Sequence, residues 1–109
     1  MTPRAPAHLR DSTRCWWRAV VADYVLEGHH LKLLTLAGES WDRCSQAREA
    51  LASGGLIFED RFGQPHARPE VAIERDSRLA FARLMRELDL DVEIAQGAPR
   101  TPALRSNGG

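Results

Sequence analysis

Apolar positions along this chain recur every three or four residues in three separate stretches, the period of amphipathic helices. In the first stretch Trp17, Val20, Val21 and Tyr24 fall at i, i+3, i+4 and i+7. Asp11 and Ser12 stand ahead of them as N-cap residues and Gly28 closes the run. The pattern therefore predicts a helix from about Thr13 to Glu27. In the second, Leu33, Leu34, Ala37, Trp41, Cys44, Ala47 and Leu51 gather on one side at about 100° per residue, which predicts a helix over roughly His30 to Ala52. Gly38 interrupts it at a cost of about 1 kcal/mol relative to alanine. A third helix opens at Pro69, tolerated at the first helical position, and carries Ile73, Ser77, Ala80, Phe81, Leu84 and Leu88 on its apolar side.

The connections order these elements. A very short link between the first two helices predicts an antiparallel helical hairpin. Gly54-Gly55 stops the second helix. Leu56, Ile57 and Phe58 then read as a short extended stretch and "RFGQ" as a turn, so a small β-hairpin or an irregular loop joins helices two and three. The expected fold is mainly α: a helical hairpin plus a third long helix, with that hairpin or loop between the second and third. Residues 1–8, with Pro3 and Pro6, read as a flexible arm, and residues 9–92 as a single helical domain. Residues 93–109, with two prolines and three glycines and no amphipathic period, read as a disordered tail.

With 109 residues the chain is one domain at most, and 43% hydrophobic residues supply a modest core without room for a large buried active site. No apolar run approaches the ~20 residues that span a bilayer, and "MTPRAPAHLR" lacks the apolar centre of a secretion signal. Cys15 and Cys44 lack CxxC spacing and fall inside helical patterns; both are expected as buried free thiols in a reducing compartment, which places the protein in the cytoplasm.

Enzymatic constellations are scarce. His8, His29, His30 and His66 are not spaced with cysteines or carboxylates as a zinc site requires, and the His29-His30 pair is expected exposed at the interhelical turn. Gly54-Gly55 lacks the GK[ST] that would hold phosphates. Ser40, Ser45 and Ser53 have no neighbouring base to activate them, and Glu59-Asp60 reads as a hydrophilic turn. The expectation is a protein that is not an enzyme and uses no cofactor or metal.

Charge changes this picture more than composition does. Fifteen basic side chains balance fifteen acidic ones, and all the basic ones except Lys32 are arginine. The balance is uneven along the chain. From Arg61 to Arg86 six arginines stand against three acids, and from Met1 to Arg18 four arginines stand against Asp11, each a local excess of three. Glu87, Asp89, Asp91 and Glu93 follow as an acidic patch. On the third helix Arg75, Arg78, Arg83 and Arg86 share an arc opposite the apolar side. Such a ribbon is either a solvated outer face or a surface for a polyanion. Under the second reading it is a DNA-binding face, with Arg10, Arg14 and Arg18 as a second group. Affinity for duplex DNA rises with the number of phosphates neutralised, so a neutral chain grips DNA by repeating such a patch around an oligomer. Contacts would go mainly to the backbone. Trp16 lies off the centre of its stripe and, with Trp17, Tyr24 and Trp41, is a candidate for the subunit interface, where aromatics concentrate.

Taken in order, "WWRAVVADYVLEG", "LAGESWDRCSQAREALASGGL", "RFGQP" and "RPEVAIERDSRLAFARLMRELDL" resemble the P27 family of phage terminase small subunits over about Leu9 to Val92. The family runs as a tryptophan-containing helix, a glycine-ended turn, a second helix ending in "GL", a glycine turn and a proline-started third helix closing in "ELGL". Arg68 stands here where the family usually has histidine, and Asp89 where it usually has glycine. The resemblance implies a ring-forming homo-oligomer in the host cytoplasm that binds double-stranded viral DNA. It would hand that DNA to the terminase large subunit, which carries the packaging ATPase and nuclease. A helical interaction module without a DNA role explains the amphipathic pattern equally. A small transcription regulator would need a helix-turn-helix, for which the second helix is too long and its apolar stripe too continuous.

Overall fold

Thr13, Trp17 and Val20 lie on one side of a helix at three- and four-residue spacing, and these are the residues that α1 (Asp11–Asp23) buries. The computed structural model of the chain describes residues 3–90. In chain order the elements are α1, α2 (Gly28–Gly54), β1 (Ile57–Glu59), β2 (Pro65–Ala67) and α3 (Pro69–Leu88). The protein is thus mainly helical, with a two-stranded antiparallel sheet between the second and third helices. The tail 93–109 lies outside the described residues. Of the expected arm 1–8, residues 3–8 are described: Ala5 packs against the core and His8 Nε2 lies 2.8 Å from a Glu39 carboxylate oxygen.

The helix ends depart from the sequence reading for a local reason. Asp11 is inside the first turn of α1, not ahead of it, and the capping position falls to Arg10, whose side chain makes no cap bond. A carboxylate from another helix serves instead: Asp42 accepts the Arg10 backbone N–H at 2.8 Å and the Thr13 hydroxyl at 2.5 Å. An acceptor at a helix start satisfies an orphan donor and complements the positive end of the helix dipole. At the other end Tyr24 is extended and Gly28 begins α2 rather than closing α1. The start of α2 is secured by a reciprocal pair of bonds, with the Glu27 side chain accepting from the His30 backbone and Glu27 N–H donating to His30 Nδ1 at 3.0 Å. That arrangement is a capping box built from Glu and His rather than the usual Ser or Thr and Glu. The backbone turns out of α2 at Gly55, whose φ of 81° favours glycine. After α3, Asp89 adopts the left-handed helical conformation at φ 49° and ψ 56°, where aspartate is one of the better-tolerated non-glycine residues.

Side-chain pairs set the helix directions. Along α1, Arg10, Thr13 and Trp17 reach Glu49, Asp42 and Thr35 in turn, so α1 and α2 run antiparallel as expected. Arg68 meets Gly54, Arg48 meets Glu74 and Trp41 meets Phe81, so α3 runs antiparallel to α2. The more extensive seam is α2 with α3. Small residues line it: Ala37, Cys44 and Ala47 are buried on α2 and Ser77 on α3, which lets two helices approach closely. The large apolar residues collect at one end, where Leu9, Trp17, Val20, Leu34 and Leu88 form the core. Gly38 is closely enclosed there. A Cβ at that position would sit 3.1 Å from Leu9 Cδ1 and 3.2 Å from Thr13 Cγ2, so the glycine expected only to weaken α2 makes room for the start of α1.

The hairpin pairs Ile57 with Ala67, Phe58 with His66 and Glu59 with Pro65. Every residue of both strands is exposed. Asp60 organises the turn between them: Oδ1 accepts the N–H groups of Phe62 at 2.8 Å and Gln64 at 3.0 Å, and Oδ2 lies 2.9 Å from His66 Nε2. The Gln64 amide, then His66 and Phe62, hold the Asp60 carboxyl below its usual range. A depressed folded-state pKa means that the stabilisation is present above the unfolded value of about 4 and lost as pH falls through the folded value. We expect the Phe62 and Gln64 amide protection factors, followed by NMR, to fall selectively below about pH 4 while α2 stays protected. Unchanged turn protection down to about pH 2 would show that the carboxylate does not hold the turn.

Candidate nucleic-acid interface

The expected DNA-binding arginines fall into four structural groups. Arg10 is engaged within the fold, its guanidinium gripping Glu49 through two bonds of 2.8 and 3.0 Å, which raises its already high pKa and lowers that of Glu49. Arg14, half-buried, lies 3.4 Å from Asp11, and Arg18, exposed on α1, lies 3.6 Å from the Cys15 sulfur. Arg75 and Arg78 are exposed on α3 but paired, with Asp76 at 3.1 Å and Glu74 at 3.4 Å. Arg83 and Arg86 are exposed, and no carboxylate among the described residues pairs with either. The acidic patch expected to follow is described only for Glu87 and Asp89; Asp91 and Glu93 lie outside the described residues.

The packed side of α3 is centred on Ser77 and Leu88, with Phe81 and Met85 beside them. That direction is rotated from the expected stripe, and Ile73 is left 40% exposed. The four arginines span an arc of about 140° on the far side. Leu79 lies inside this arc and is 55% exposed, so the face is a cationic border around an apolar centre. Two other arginines of the same region are absorbed locally. The Arg68 guanidinium lies against the end of α2 at Gly54, close enough that a Cβ there would meet its Cζ at 2.9 Å, where it complements the negative end of the helix dipole. The Arg61 guanidinium sits 5.0 Å from the centre of the Phe62 ring.

A second feature lies beside α3. Trp16, Trp41 and Phe81 wall an apolar slot of 360 Å³ that Ser12 and Thr13 also line. The Phe81 ring centre is 5.0 Å from that of Trp41 and 6.1 Å from that of Trp16. Trp41 is 44% exposed. Of the four aromatics expected at a subunit interface, Trp16 and Trp41 have surface in this slot and Tyr24 is half-buried at the end of α1. Trp17 is a correction: it is 3% exposed and bonds Thr35 through its indole N–H at 3.3 Å, because it lies at the centre of the buried stripe. About two helical turns from Phe81 along α3, Glu74 binds Arg48 at 3.0 Å and accepts the Cys44 thiol at 3.6 Å. Arg48 and then Arg78 hold the Glu74 carboxyl below its usual range, and burial pushes the Cys44 thiol up. Cys15, expected buried, is exposed because it lies about 200° around α1 from Trp17.

Sequence reasoning missed two things that bear on function: the slot, which needs three helices to form, and the exposure of every residue of the two hairpin strands. Among the described residues no group of three or more His, Cys, Asp or Glu is placed to hold a metal ion, and no helix is long and apolar enough to cross a membrane. No protein-family model, no curated protein and no solved structure matches the chain.

Proposed function

We propose that this chain is the small, DNA-recognising subunit of a tailed-phage terminase. In that role copies assemble in the host cytoplasm, grip double-stranded viral DNA through repeated arginine faces, and present it to the large subunit that carries the ATPase and nuclease. The chain itself performs no catalysis. The observation that carries the reading is the pair Arg83 and Arg86, exposed on the outer face of α3 with no carboxylate partner among the described residues. The order of elements agrees with the resemblance: a tryptophan-bearing helix, a glycine-started second helix, a short hairpin and a proline-started third helix.

Leu79 favours a second reading, because an exposed leucine amid arginines also fits a protein partner and would make the chain a helical interaction module without a DNA role. Solution mass and DNA retention at about 50 and about 200 mM salt separate the two. A multimer whose DNA affinity falls by orders of magnitude over that range supports the terminase reading. A monomer or dimer indifferent to DNA overturns it.

A further inference from the structure

The hairpin is an arm without a body to rest on. Leu56 is 62% exposed, Ile57 61% and Phe62, at the tip, 74%. A two-stranded hairpin is marginal in water, and one that carries apolar side chains on both faces gains nothing from solvent. The same chain holds the complementary shape. The slot walled by Trp16, Trp41 and Phe81 lies near the middle of α2, whereas the arm leaves from its end at Gly54. The thirteen residues from Trp41 to Gly54 separate them by roughly 20 Å along the helix.

Charge follows shape. Glu59 on the arm is exposed and has no ion pair among the described residues. Arg78, about one turn from Phe81, and Arg48, about two turns from Trp41, share the single carboxylate of Glu74, leaving one positive charge in excess. An apolar knob with a spare carboxylate and an apolar slot with a spare guanidinium, at different places on one surface, define a head-to-tail contact between copies.

We propose that the arm of one copy seats Phe62 in the Trp16–Trp41–Phe81 slot of the next, with Glu59 against Arg48 and Arg78. The contact is heterologous, so it generates a closed ring or a filament rather than a two-fold dimer. It rests on the reading of the chain as a self-assembling subunit and supplies that reading with its interface.

Three full-length chains test it by mass in solution and by tryptophan emission: wild type, the arm variant Phe62→Asp and the slot variant Ser12→Glu. Both substitutions fall on exposed residues, and circular dichroism checks that the helices persist. Wild type is expected as a multimer. Each variant alone is expected as a single chain with red-shifted emission from Trp16 and Trp41. Mixing the two variants is expected to restore one contact, the intact arm of Ser12→Glu in the intact slot of Phe62→Asp, and to give a species of twice the chain mass. Trp41→Ala replaces Ser12→Glu as an independent slot variant and should behave alike. Variants that assemble like wild type overturn the arm-in-slot contact while leaving self-assembly standing. A mixture that stays at single-chain mass also overturns it, since an intact arm and an intact slot would then be present together and fail to join. A wild-type chain that stays single at high concentration removes self-assembly and the contact together.

Discussion

Replacing Leu34 by alanine is expected to destabilise the protein by about 3 kcal/mol, within the range of 2–5 kcal/mol for large-to-small core changes. Among the described residues Leu34 is the one large side chain with no exposed surface, and it packs with Leu9, Trp17, Val20 and Leu88. These four come from the segment before α1, from α1 and from α3, so the cavity would open where the three helices meet. Gly38 already brings Leu9 and Thr13 close to the α2 backbone, which leaves the surroundings little freedom to collapse into the space. A domain of this size has on the order of 5–15 kcal/mol of net stability, so the loss is a large share of the total. Urea titration followed through Trp17 should show a lower midpoint with an unchanged slope. A shift equivalent to under about 1 kcal/mol would mean that the core end of the bundle repacks and that the α2–α3 seam alone carries the fold.

The contrast between that core and that seam shows what the sequence could reveal. Three-residue and four-residue periods located all three helices, because periodicity reports which side of a helix is apolar. Periodicity is blind to what supplies the missing hydrogen bonds at helix ends. Asp42 sits 32 positions from the Arg10 amide it caps, and no local rule connects them. Glycine often ends helices, which makes Gly28 look like a stop in the sequence; in the fold Glu27 and His30 cap each other around it, and the same glycine starts α2. Trp17 and Trp41 both lie on apolar stripes, yet one is buried and the other 44% exposed. The difference is that α1 covers only part of α2, which the length of α1 decides and its pattern does not show.

Electrostatic partners were equally illegible at a distance. The arginine arc of α3 follows from 100° spacing, but spacing does not say which guanidiniums are already occupied. Arg78 shares Glu74 with Arg48, a residue 26 positions before that carboxylate, and Arg10 is held by Glu49, 39 positions away. The fold thus divides seven equivalent-looking candidates into paired and unpaired groups, and the division makes a sharper test than replacing them together.

Replacing Arg83 and Arg86 with alanine is therefore expected to weaken DNA binding far more than replacing Arg75 and Arg78. Each phosphate neutralised contributes about 0.9 to the slope of log affinity against log salt. Two free arginines on every engaged subunit thus remove up to about 1.8 from the slope per subunit. Arg75 and Arg78 must give up Asp76 and Glu74 or share them, so their loss should change the slope by less than half as much. Replacing all four should bring binding close to salt-independence if α3 is the whole DNA face. A residual slope would pass to Arg14 and Arg18 on α1, since Arg10 is committed to Glu49. None of these side chains packs in the core, so exposed-charge changes of this kind should leave unfolding within about 0.5 kcal/mol of wild type. Filter binding of a duplex across a salt series gives the slopes directly. Equal losses from the two pairs would mean that DNA strips the carboxylates from Arg75 and Arg78 at no cost. Unchanged slopes in both would assign the α3 face to a protein, with Leu79 at its centre.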